Sequence, residues 1–68
     1  MNYLVNVPEE FIGDVCGELS IRGGLIFAMD NNDGVYDIRA SMPVGSMTGF
    51  DSWLAKITDR GSLKRLDD

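Results

Sequence analysis

"GLIFAMDNNDGVYDIRAS", residues 24–41, decides the fold. Gly24–Asp30 is apolar at nearly every position and reads as a strand. Asn31–Gly34 reads as a hairpin turn, because Asn, Asp and Gly tolerate the left-handed backbone that tight turns need. Val35–Ser41 returns as the partner strand, with Tyr36, Ile38 and Ala40 on one face and Asp37 and Arg39 on the other. The run Asp30–Gly34 resembles the start of a calcium loop. That pattern also needs a distal glutamate and two flanking helices, and neither is present.

Upstream, "NYLVNV" (residues 2–7) alternates as a strand, with Tyr3, Val5 and Val7 pointing one way. Pro8 ends it and suits the first turn of a helix predicted over residues 8–21. Phe11, Ile12, Val15, Cys16 and Leu19 form the apolar stripe of that helix. Glu10, Asp14 and Glu18 recur every four residues on another face and read as a solvated row, eased by a Glu18–Arg22 pair. Gly13 and Gly17 each cost about 1 kcal/mol of helix propensity. Being four apart they share a face, which predicts close approach, either of helix to sheet or of a partner's backbone. Gly23 and Gly24 are expected to cap the helix.

Downstream, Pro43 breaks the strand. "GSMTGFDSWLAKIT" (residues 45–58) predicts a second helix, capped by Ser46 or Thr48, with Met47, Phe50, Trp53, Leu54 and Ile57 inward. Phe50 and Trp53 read as core rather than as a stacking platform for bases. "SLKRL" after Gly61 supplies a short last strand. The order β-α-β-β-α-β predicts an α+β, ferredoxin-like split βαβ sandwich: a four-stranded antiparallel sheet with both helices on one face.

The chain has 68 residues, which bounds it to a single domain over residues 1–68. Eleven acids against six bases give a net charge of −5, which disfavours uniform nucleic-acid binding. The bases are gathered, however: Lys56, Arg60, Lys64 and Arg65 lie within ten residues, opposed only by Asp59. One cysteine and no histidine exclude an internal disulfide, a Cys/His zinc cluster and a histidine-based triad. Cys16, on the apolar face of the helix, reads as a buried and inert thiol. No cofactor or metal is expected. No signal peptide and no run of ~20 apolar residues is present, so no membrane partner is expected.

Two blocks carry a family resemblance. "VPEEFIGDVCGELSIRGG" has a strand end, Pro-Glu-Glu, Gly-Asp-Val, a further Gly, an acid, Leu and Arg-x-Gly. "MPVGSMTGFDSWLAKITDRG" has a strand-ending Pro, Met-x-Gly-aromatic and Leu-x-x-x-Thr-x-x-Gly. Together they resemble the C-terminal domain, domain V, of translation elongation factor G and related translational GTPases. The family's arginine-rich run is reduced here to "SIRGG", and the last strand is short.

The resemblance implies the same split βαβ fold, a cytoplasmic location and a non-catalytic role in docking on the ribosome. The expected partners are ribosomal RNA, ribosomal protein and other domains of the same factor. Nothing matches the P-loop pattern GxxxxGK[ST], so the chain is not itself a GTPase. Arg22, Lys56, Arg60 and Lys64 are the expected phosphate contacts. The alternative is a stand-alone interaction or oligomerisation module with no ribosomal role, self-associating through the sheet edges, the apolar strand at residues 24–30 and the short last strand after Gly61.

Overall fold

A computed structural model describes residues 1–66. β1 (Asn2–Pro8) leads through one 3-10 turn (Glu9–Phe11) into α1 (Ile12–Ile21). The hairpin of β2 (Leu25–Asn32) and β3 (Val35–Ser41) follows, then α2 (Phe50–Ile57) and β4 (Ser62–Arg65). The strand order is β2-β3-β1-β4, and every neighbouring pair is antiparallel. This is the ferredoxin-like arrangement that the element order predicts. β2 and β4 are the edges.

The alternation along β1 and β3 builds the core. Val5 and Val7 from β1 and Ile38 and Ala40 from β3 are fully buried, against Val15 and Leu19 of α1 and Phe50 and Leu54 of α2. Both helices therefore lie on one face. The other face presents Leu4, Asn6, Asp37 and Arg39, where the Asn6 side-chain amide donates to Asp37 at 2.6 Å.

The hairpin is tighter than its turn residues suggest. β2 runs on to Asn32, and the turn is only Asp33-Gly34, with φ of 53° and 84°. Those values fit a two-residue turn with both residues left-handed. Asn31 Oδ1 accepts from the Gly34 N–H at 3.1 Å. The Gly34 carbonyl in turn accepts from the Glu9 N–H at 2.8 Å. That bond ties the exit of β1 to the hairpin tip, so Pro8 stays in the strand opposite Val35 and α1 starts at Ile12, four residues later than predicted.

α1 ends as its glycines predict. The Gly24 N–H donates to the Leu19 carbonyl at 2.9 Å and the Gly23 N–H to that of Ser20 at 3.0 Å, with Gly23 at φ +82°. The first and the last described residues are tied to neighbouring backbone. The N-terminal ammonium donates to the Met42 carbonyl at 3.1 Å, and the Leu66 N–H donates to the Asn2 carbonyl at 2.8 Å.

Two further expectations fail. The second helix begins at Phe50, not at Gly45, and neither Ser46 nor Thr48 caps it. Gly45 (φ +80°) and Gly49 (φ +78°) are left-handed, which a right-handed helix cannot contain, so residues 44–49 form successive turns. The Thr48 hydroxyl donates to the Gly45 carbonyl at 3.2 Å, and Ser46 Oγ is buried without a partner.

The second failure concerns Gly13 and Gly17. They face open space, and a Cβ at either would meet nothing within 4 Å. Close packing of helix on sheet does not explain them. Gly17→Ala is therefore expected to stabilise the chain by about 1 kcal/mol. Thermal unfolding followed by circular dichroism should show the midpoint rise by roughly 4–8 °C. A fall would reveal a contact at Gly17 that the fold lacks.

Candidate functional site

The four cations singled out in the sequence divide into two groups. Arg22, at the C-terminus of α1, is turned inward. Its Nε pairs with Glu18 Oε2 at 2.8 Å, and its Nη1 donates to the carbonyls of Ser46 at 2.9 Å and Thr48 at 2.8 Å. The guanidinium lies 5.3 Å from the centre of the Phe50 ring. Only 18% of the side chain is exposed. Arg22 thus clamps the 44–49 turns to α1.

The other three lie outward around α2 and β4. Lys56 is exposed in the last turn of α2. Arg60, between α2 and β4, reaches Glu10 Oε1 at 2.8 Å, with side chains 63% and 61% exposed. A pair so open to water contributes little to stability. Lys64 lies opposite Leu4 on β4, one residue along from Leu63, whose register partner Val5 is buried under the helices. Successive strand residues face opposite ways, so Lys64 lies on the sheet face away from the helices. Lys56 and Lys64 make no ion pair among the described residues. Lys56 and Arg60 thus lie exposed on and just after α2, and Lys64 lies on the far face of the edge strand β4.

The side of α1 and β2 is acidic and apolar. Asp14, Asp30 and Asp33 are exposed there. Asp30 pairs with Arg39 at 3.0 Å. Cys16 is half-buried rather than buried; its Sγ lies 3.9 Å from Met29 Sδ, and burial pushes its thiol pKa up.

A third feature is not apparent from periodicity. The two connections at the C-terminal end of α1 carry Ile21, Leu25 and Val44 at 81%, 69% and 85% exposure. The signal in the sequence is a lack of charge: residues 40–50 include no Asp, Glu, Lys or Arg.

Among the described residues there is no enclosed pocket and no group of His, Cys, Asp or Glu placed to hold a metal ion. No described helix is long and apolar enough to cross a membrane.

Comparison with known proteins bears on the family and the fold. The sequence pattern of the family described as "Elongation factor G C-terminus" matches residues 1–64. Elongation factor G of Aquifex pyrophilus is 34% identical over 64 residues, covering 93% of this chain and 9% of that protein. The chain thus spans about a tenth of the length of this relative. A crystal structure of a Thermus thermophilus protein superposes with a TM-score of 0.83 at 25% identity, covering 93% of this chain and 10% of that one. From the matched pattern and the shared βαββαβ fold, the chain belongs to the elongation factor G C-terminus family.

Proposed function

We propose that residues 1–68 form a non-catalytic docking module of a translation factor, acting in the cytoplasm and holding ribosomal RNA through Lys56, Arg60 and Lys64. The observation that carries this reading is the exposure of Lys56, Arg60 and Lys64 around α2 and β4 on a chain whose net charge is −5. Phosphate contact needs local positive charge, and these side chains supply it. Arg22 is left out of the contact set, because its guanidinium is engaged by Glu18, Ser46 and Thr48. The remaining domains of such a factor and ribosomal protein are further partners under the same reading. GTP hydrolysis is no part of the module's role, since the sequence lacks a P-loop.

The test is co-sedimentation of the chain with ribosomes at several salt concentrations. Lys56→Glu combined with Lys64→Glu should weaken binding about tenfold at low salt. The slope of log affinity against log salt should become shallower by about 0.7 per lost phosphate contact. The circular dichroism spectrum should not change, since both side chains are exposed. Unchanged binding at low salt would overturn the assignment.

A further inference from the structure

The hairpin tip holds the one Asp-Gly step in the sequence, Asp33-Gly34. That pairing has a chemistry of its own. A backbone amide nitrogen can attack the side-chain carboxyl of the aspartate that precedes it. A side chain on the second residue shields the nitrogen, and glycine has none. Asp14, Asp30, Asp37, Asp51 and Asp59 are followed by Val, Asn, Ile, Ser and Arg, so only Asp33 among these has an unshielded neighbour. Asp33 is also exposed to water.

The reaction needs no reagent but water. The Gly34 nitrogen bonds to Cγ of the protonated Asp33 side chain. The amide proton and the carboxyl hydroxyl leave together as a water molecule, and a cyclic imide closes. Water then adds to one of the two imide carbonyls. Addition at Cγ restores aspartate. Addition at the main-chain carbonyl leaves the chain running through the side chain, as an isoaspartate with one more methylene in the backbone. Nothing is oxidised or reduced.

The fold holds the attacking group in place. The proton that must leave the Gly34 nitrogen is the one held by Asn31 Oδ1 at 3.1 Å. The Gly34 carbonyl is held from the other side by the Glu9 N–H at 2.8 Å. The Glu9 carboxylate lies against the same glycine, since a Cβ on Gly34 would stand 3.7 Å from Glu9 Oε1. Ring closure therefore requires the tip to open and the left-handed pair, at φ of 53° and 84°, to unwind.

We propose that Asp33-Gly34 is a latent site of self-modification, where aspartate isomerises to isoaspartate through a cyclic imide, and that the Asn31 side chain keeps it closed in the folded chain. The product is a different turn. A two-residue turn fixes the register of its hairpin, and an added methylene breaks that geometry. It also draws the Gly34 carbonyl off the Glu9 N–H, which loosens the exit of β1. Asn31 acts through Gly34 and is a positioning residue.

The chain is incubated at neutral pH in water enriched in heavy oxygen. Each passage through the imide leaves one heavy oxygen on residue 33, read by mass spectrometry of the peptide that contains it. The folded chain should take up label about tenfold or more slowly than the same chain unfolded in guanidinium chloride, because folding adds both hydrogen bonds. Asn31→Ala should speed the folded chain about two- to tenfold, the range expected for one lost hydrogen bond. Asn31→Asp keeps an acceptor oxygen and should restore the parent rate. Arg22→Ala weakens the fold from the other end of the hairpin, and below its melting transition it should leave the rate unchanged. Equal labelling of folded and unfolded chains would overturn the proposal. So would an Asn31→Ala chain no faster than its parent, or an Arg22→Ala chain speeded as much as Asn31→Ala, since that pattern makes global unfolding the gate.

Discussion

Replacing Arg22 with alanine is expected to lower the thermal midpoint of the chain by roughly 10–20 °C. The guanidinium makes an ion pair with Glu18 and donates to two carbonyls, all at 2.8–2.9 Å. Hydrogen bonds to a charged group contribute about 1.5–3 kcal/mol each when net effects are measured, and they are not additive. A loss of about 2–3 kcal/mol is a large fraction of what a domain this small commands. Removing the side chain also leaves the Ser46 and Thr48 carbonyls without this donor and uncovers one face of Phe50. Lysine should restore less than half of the loss, because an ammonium lacks the planar fork that meets a carboxylate and two carbonyls together. Thermal unfolding of Arg22→Ala and Arg22→Lys, with ribosome binding measured in parallel, decides the role. Unchanged melting with weakened binding would return Arg22 to the phosphate contacts and contradict its part as a clamp.

Gly24→Ala should be at least as damaging. A Cβ at this position would collide with the Met42 sulfur and stand 2.9 Å from the Leu19 carbonyl oxygen. Met42 is 2% exposed and belongs to the core, so its side chain has little room to retreat. The Leu19 oxygen is backbone and already accepts from the Gly24 N–H. Relief requires the end of α1 to move off the sheet, opening the cap and the core together. Overpacking of this kind costs about 1–3 kcal/mol, and the lost cap adds to it. Gly23→Ala meets a different obstacle. Its Cβ would have ordinary room, but its left-handed φ costs about 1–2 kcal/mol for any residue with a side chain. Urea unfolding should therefore place Gly24→Ala below Gly23→Ala, with both below the parent chain. The reverse order would show that Met42 repacks freely.

The two glycine pairs show what a sequence reveals and what it conceals. Gly23 and Gly24 end a periodic apolar run, a local signal with a local cause, and the cap forms where expected. Gly13 and Gly17 carry the spacing of a close contact, but spacing does not say whether a neighbour is there. The start of α2 was hidden for a related reason. Ser46 and Thr48 are sound caps by local chemistry, yet Arg22, more than twenty residues earlier in the chain, holds that segment in turns through its carbonyls. Backbone acceptors have no residue type and leave no mark in a pattern. The bulge at Phe27 is equally silent, since it depends on the register of β2 against β3. The hairpin, the core faces of β1 and β3 and the basic run at α2 and β4 were legible because alternation, turn chemistry and charge are written position by position. The inward turn of Arg22 was not, because its orientation is set by groups that every residue shares.

The bond from Leu66 to Asn2 joins the last described residue to the start of β1, and β4 lies antiparallel beside it. The start of β1 and the last described residue therefore lie at the same corner of the sheet. A force drawing them apart acts across the ladder between β1 and β4 rather than along it. Hydrogen bonds loaded in that direction open one after another, like a zip. β4 has only four residues, Ser62–Arg65, so it would peel away first. It would carry Lys64 with it while the hairpin and both helices kept their shape. Under tension, the part of the fold that yields is the strand that bears the exposed charge of Lys64.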